Sequence, residues 1–180
     1  AELDWLSAEE RTGAVHLKAP TYRAKVSSPF NYRAQTRILV VTDVRKDDLN
    51  QVATAYRELF FAAGGSALGL FTAISRLRSV HEKIALPMED AGFLLLAQHV
   101  DRIDTGSLVE IFRTEERSCL LGTDAVRDGV DVPGDSLQLI VFDRVPWPRP
   151  SILHRARRTA FIRSKYDDLI ARLRLKQAYG

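Results

Sequence analysis

The chain has 180 residues, 46% apolar and 27% charged, with a net charge of +3, the profile of one ordinary soluble domain with a full core. Its longest apolar stretches, such as Leu137 to Phe142, are far too short to span a bilayer, and the acidic opening "AELDWLSAEE" has no signal-peptide pattern. One cysteine, Cys119, excludes an internal disulfide, and together these features point to a cytoplasmic protein with no membrane partner.

Residues 1–28 are mixed, show no clear period and are left unassigned, as a leader or a remnant of preceding sequence. "SSPFNY" marks a turn at 27–32, because Pro29 holds Ser28 extended. "TRILVVT" (36–42), rich in branched residues, is expected to form a strand. "KDDLNQVATAYRELFFAAGG" (46–65) reads as a helix capped by Asp47 or Asp48 and ended by Gly64-Gly65. In it Leu49, Val52, Ala53, Tyr56, Leu59 and Phe60 share one side. "SALGLFT" (66–72) is a short buried strand. "AISRLRSVHEKIA" (73–85) is a helix with Ile74, Leu77, Val80 and Ile84 as its buried stripe. "GFLLLAQ" (92–98) is the next strand, and "GSLVEIFRTEE" (106–116) a helix with Ser107 as its expected cap. "RSCLLGT" (117–123) and "SLQLIVFDR" (136–144) are two more strands. The segment 150–180 is helical, with an expected break near Ser164-Lys165.

Strands alternate with helices, and most strands are continuously apolar. That pattern specifies an α/β fold: a mostly parallel sheet with helices on both faces. Ligands of such sheets bind at the loops that follow the carboxyl ends of strands, which directs attention to "FTAIS" (71–75), "AQHVDR" (97–102) and 122–135. Thr72 and Ser75 stand where a strand passes into a helix. Hydroxyls and free N–H groups there can grip phosphate, or Thr72 can simply cap the helix. Gly122 and Thr123 offer amides and a hydroxyl just past a strand end. Asp128, Gly129, Asp131 and Gly134 put two carboxylates on a tight loop, which can hold a ribose hydroxyl or an arginine, or form turns alone.

Several activities are excluded by what is missing. The chain holds no phosphate-binding G-x-x-x-x-G-K-[ST], no G-x-G-x-x-G after a strand and no G-x-S-x-G elbow. His16, His81, His99 and His154 are scattered without metal-ligand spacing, and Cys119 lies in an apolar run that suits a buried structural thiol. Charge is uneven: residues 144–176 hold ten Lys/Arg against two acids, a net +8, so the remainder carries −5. Such a block attracts phosphate or forms a solvated helix face.

"LLGTDAVRDGVDVPGDSLQLIVFDRVPWPRP" (120–150) resembles motif V and its sequel in the DinG/XPD-type superfamily-2 DNA helicases, roughly GTxSFWEGVDxPGxxLxxVxIxxLPFxxP. "SPFNYRAQ" (28–35) resembles the start of their second motor domain, "ALGLFTAISRLRSV" their motif IV, and "LRLKQAYG" the first half of motif VI. The resemblance spans about residues 28–180. It implies a three-layer RecA-like domain, of the P-loop NTPase type but lacking Walker A, over 29–180 and truncated within motif VI. It further implies the second motor domain of an ATP-dependent, 5′–3′ DNA helicase. In that reading Thr72, Ser75, Gly122 and Thr123 contact single-stranded DNA. Asp128, Gly129, Asp131, Gln177 and Gly180 face the ATP cleft. ATP and Mg²⁺ belong to the full-length protein, whose N-terminal motor domain is the missing partner, and this chain holds neither metal nor iron–sulfur cluster. No catalytic set is complete, and the chain alone is expected to lack ATPase. The family's SFWE is Ala125-Val126-Arg127-Asp128 here, which removes the aromatic pair. The alternative is a free-standing α/β module that binds nucleic acid or protein without catalysis.

Overall fold

A computed structural model describes residues 5–123, 126, 132, 134–161 and 165–179. The chain divides into two compact units, 1–40 and 41–180. In the first, helix α1 (Trp5–Thr12) is followed by a 3-10 turn (Ala14–His16) and the short helix α2 (Tyr32–Gln35). The Arg23 guanidinium donates to both Glu9 carboxylate oxygens, at 2.7 and 3.0 Å, and Asn31 caps α2 by accepting from the Ala34 amide.

The second unit carries the sheet. Helix α3 (Leu49–Ala63) starts at Asp48, whose side chain accepts from the Asn50 and Gln51 amides, and stops at Gly64 with φ 72°. That left-handed conformation costs a glycine nothing. Strand β1 (Ala67–Leu70), helix α4 (Ile74–Asp90), strand β2 (Leu94–Ala97), helix α5 (Thr105–Thr114), strand β3 (Ser118–Gly122) and strand β4 (Leu139–Phe142) follow, then helices α6 (Ile152–Ala160) and α7 (Tyr166–Tyr179). The sheet order is β2-β3-β1-β4, and every pair is parallel. This is the α/β architecture expected of the sequence, consistent with a RecA-like domain.

Side chains alternate across the sheet and so sort into two cores. Ala67, Cys119 and Leu121 face the α3 and α4 side, where Tyr56, Phe60, Leu77, Val80 and Ile84 are buried. Leu68, Leu70, Leu96 and Leu120 face the other side, against Leu108 and Phe112 of α5, Val126 and the partly buried Ala178 of α7. Tyr56 stacks on Phe71 at 4.9 Å and donates its hydroxyl to the Val141 carbonyl at 3.3 Å, tying α3 to the sheet.

Four local expectations need correction. Residues 36–42 form no strand, and Ile38, Leu39, Val40 and Val41 are exposed. Branched residues favour a pleated surface, but a strand persists only beside a ladder partner. Helix α5 is capped by Asp104, not Ser107: the Asp104 carboxylate accepts from the Ser107 amide at 3.0 Å and hydroxyl at 2.6 Å. Thr72 does not cap α4, whose N-cap is Ala73 with no side-chain bond. The buried stripe of α4 lies further along than expected: Ile74 is exposed, and the helix runs past the expected end at 85, through Pro87, because Met88 extends the buried run of Leu77, Val80 and Ile84. That burial outweighs the missing N–H of the proline.

Candidate functional site

With all strands parallel, the four carboxyl ends share one edge of the sheet, and the ladder runs one residue beyond the strands. The Phe71 amide donates to the Gly122 carbonyl at 2.9 Å, the Gln98 amide to the Leu121 carbonyl at 2.9 Å, and the Asp143 amide to the Leu70 carbonyl at 3.0 Å. Gln98, Thr123, Thr72 and Asp143 therefore follow one another along this edge, after β2, β3, β1 and β4.

Two buried polar groups organise it. Gln98 is 5% exposed. Its Oε1 accepts from the Thr123 amide at 3.0 Å and from the Thr123 hydroxyl at 2.7 Å, while Nε2 donates to Thr105 Oγ1 at 3.1 Å. Asp143 has a wholly buried carboxylate that takes two bonds from Arg76, at 2.8 and 2.6 Å. This pairing holds the Arg76 guanidinium pKa above its ordinary value. A second Arg76 contact, from Nη2 to the Lys46 carbonyl at 2.8 Å, ties the loop before α3 to the same point. Burial, reinforced by the Asp143 charge, pushes the Tyr56 hydroxyl well above its usual range.

The backbone at Gly122 is closely covered. A Cβ there would sit 2.6 Å from the Val126 side chain, which is fully buried, so glycine lets Val126 close directly over the end of β3. Thr72, half-buried, gives its carbonyl to Arg149 Nη2 at 3.1 Å. Ser75 is exposed on the first turn of α4, a helix whose leading N–H groups have no side-chain cap.

Thr72, Ser75, Gly122 and Thr123 thus lie at the carboxyl ends of β1 and β3, strands that are hydrogen-bonded neighbours. Gln177 is exposed on the last turn of α7. Asp128, Gly129, Asp131 and Gly180 lie outside the described residues. Sequence reasoning passed over Gln98 and Asp143. Each is the first polar residue after an apolar strand, the signal that could have found them. Among the described residues no cluster of His, Cys, Asp and Glu could hold a metal ion, and no helix is long and apolar enough to cross a membrane. Cys119 is buried in β3, and burial pushes its thiol up to about 12.

The sequence model of a helicase C-terminal domain family matches residues 56–180. The chain is 30% identical over 141 residues to a "3′-5′ exonuclease DinG" of Bacillus subtilis, covering 74% of this chain and 15% of that protein. It is 41% identical over 97 residues to an "ATP-dependent helicase DinG" of Mycobacterium tuberculosis, covering 54% and 14%. It is 27% identical over 127 residues to an "ATP-dependent DNA helicase YoaA" of Escherichia coli, covering 68% and 19%. The chain therefore spans less than a fifth of the length of each of these relatives.

Proposed function

The chain belongs to the helicase C-terminal domain family, of the DinG type, and from that premise we propose that it is the second motor domain of an ATP-dependent DNA helicase that grips one DNA strand across the carboxyl edge of its sheet. The helicase names of the relatives support the activity. The exonuclease name is not carried over, because the matching family model describes a helicase domain. The observation that carries the strand-gripping reading is the placement of Thr72 and Thr123 on adjacent strand ends, beside the uncapped start of α4. Hydroxyls and amides so arranged recognise phosphate without reading base identity.

In this reading Thr72, Ser75, Gly122 and Thr123 contact the sugar–phosphate backbone. Asp128, Gly129, Asp131, Gln177 and Gly180 face the nucleotide cleft, with Asp131 coupling the two edges. ATP with Mg²⁺ binds between this domain and a first motor domain that supplies the phosphate-binding loop, since no such motif occurs in these 180 residues. Closure of the cleft on ATP and its opening after hydrolysis alternate the grip of the two domains, and the protein advances along the strand, 5′ to 3′ by resemblance. The 180-residue chain alone then has weak, salt-sensitive affinity for single-stranded DNA and no ATPase. The work takes place in the cytoplasm.

The test is Thr123→Ala in the full-length enzyme. The expected result is a loss of DNA-stimulated ATPase several times larger than the loss of DNA-free ATPase. Equal losses would show that Thr123 does not face DNA, and robust ATP turnover by the purified 180-residue chain would overturn the split site.

A further inference from the structure

A pocket of about 280 Å³ opens beside the carboxyl end of β1, lined by Thr72, Trp147, Arg149, Arg174 and the prolines that flank them. Trp147 is 53% exposed between Pro146 and Pro148. The two rings restrict the backbone on either side of it. Arg174 Nη1 from α7 donates to the carbonyls of Pro146 at 3.2 Å and Trp147 at 3.1 Å. The backbone that carries the indole is thus held in place, while Trp147 itself stays about half exposed.

Neither arginine is held in an ion pair among the described residues, a state they share with Arg78 and Arg117, which also bond only carbonyls. Arg76, Arg144 and Arg158 each reach a carboxylate. Arg149 and Arg174 reach only carbonyls, of Thr72 and of the Trp147 loop, and pair with no carboxylate among the described residues. Two positive charges with unused N–H groups therefore stand at a pocket that no acid lines among the described residues. Its volume falls below the about 300–1,000 Å³ of sites that enclose a whole small molecule, which fits one unit of a longer chain. An aromatic plane, guanidinium groups and a threonine at a strand end are the chemistry that binds a base together with its phosphates.

We infer that this pocket is a one-nucleotide subsite of the DNA strand: the base stacks on Trp147, and the phosphates on either side of it meet Arg149 and Arg174. The inference rests on the strand-gripping reading above and extends it from the phosphate backbone to a base.

The chain has two tryptophans, so Trp5→Phe leaves Trp147 as the sole indole reporter. In that background a dT oligomer of about 12 nucleotides, a length within the usual single-strand site sizes, quenches the fluorescence. An abasic oligomer of the same length binds about tenfold more weakly and quenches little. Trp147→Ala weakens dT binding, followed by anisotropy of a labelled oligomer, by about tenfold and abolishes the difference between the two oligomers. Trp147→Phe restores most of it. Arg149→Ala lowers the slope of log K against log salt by about 0.7, the value of one phosphate contact on a single strand. If dT binding survives Trp147→Ala unchanged but falls in Thr123→Ala, the strand passes elsewhere and only the subsite is lost. If Trp147 emission shifts with protein concentration in the absence of DNA, the pocket is a protein contact and the inference is overturned. No dT binding by the parent chain at low salt would remove the subsite and the grip together.

Discussion

Gln98 Oε1 takes both hydrogen bonds that Thr123 has to give, from its amide and from its hydroxyl. A backbone amide can only donate, so the oxygen of the Gln98 carboxamide must face Thr123 and its nitrogen must face Thr105. In this state Thr123 has no proton left for a phosphate, which can only accept. DNA contact at Thr123 is therefore an exchange, phosphate oxygen for Gln98 oxygen. Gln98→Ala is expected to destabilise the chain by about 1–3 kcal/mol, the cost of stranding buried polar partners. Yet its single-strand affinity, measured well below its melting temperature, should equal or exceed that of the parent. Gln98→Glu should bind several times more weakly, since a carboxylate holds the Thr123 donors harder and repels phosphate. A loss of affinity in Gln98→Ala as large as that in Thr123→Ala would make Gln98 a support for the threonine and not its competitor.

The Arg76–Asp143 pair locks the end of β4 to the first turn of α4. With the Asp143 side chain fully buried and that of Arg76 16% exposed, removing one partner strands the other. Asp143→Ala should cost about 3–5 kcal/mol in urea unfolding. Arg76→Met combined with Asp143→Leu should recover most of this, because a well-packed apolar pair avoids the desolvation of two charges. An additive loss in the double variant would show that the pair contributes more than the mutual shielding of its charges.

The sheet was legible because its strands are continuously apolar and its helices carry a clean 3.6-residue stripe. Of the expected stripe of Ile74, Leu77, Val80 and Ile84, for instance, the last three land in the core as their spacing requires, while Ile74 on the first turn is exposed. What misled was pairing that is not local, and a choice between neighbouring cap residues. The run at 36–42 has strand composition, but composition does not say whether a ladder partner exists. Ser107 is a good cap residue, but α5 begins two residues earlier and Asp104 occupies the cap. Thr72 and Thr123 could be placed at strand ends because position in the alternating pattern suffices for that. Gln98 and Asp143 were open to the same placement, as first polar residues after apolar strands, but their partners lie 25 and 67 residues away and meet them only through the sheet.

Two helix caps make stability depend on pH in the acid range. Asp48 is held below its usual value of 3.8, first by the Gln51 amide and then by the Arg45 side chain. Asp104 is held below 3.8 by the Ser107 hydroxyl and amide. A carboxylate whose pKa is lower folded than unfolded contributes fully above the unfolded value and loses its contribution as pH falls through the folded one. The melting temperature should therefore fall as pH drops below about 4. Asn is an equally good N-cap but does not titrate. In Asp48→Asn combined with Asp104→Asn the fall should be shallower, with little change at pH 7. Parallel acid profiles for parent and variant would show that other carboxylates set the slope.

Gly122 can be tested through its neighbour. A methyl at this position would meet Val126 at 2.6 Å, and Val126 is fully buried against the Leu68, Leu70 and Leu120 layer. One of the two must move. Gly122→Ala should therefore cost about 1–3 kcal/mol, the usual range for overpacking a tight core. Because the segment that moves begins at Thr123, oligonucleotide affinity should fall in the same variant. Val126→Ala alone leaves a cavity and is also destabilising. The double variant should be more stable than the sum of the single losses predicts, since each change makes room for the other. A double-mutant cycle by thermal unfolding reads this directly. A coupling of zero would mean that the chain after β3 relieves the clash by shifting as a whole, so that Val126 is not what fixes glycine at 122.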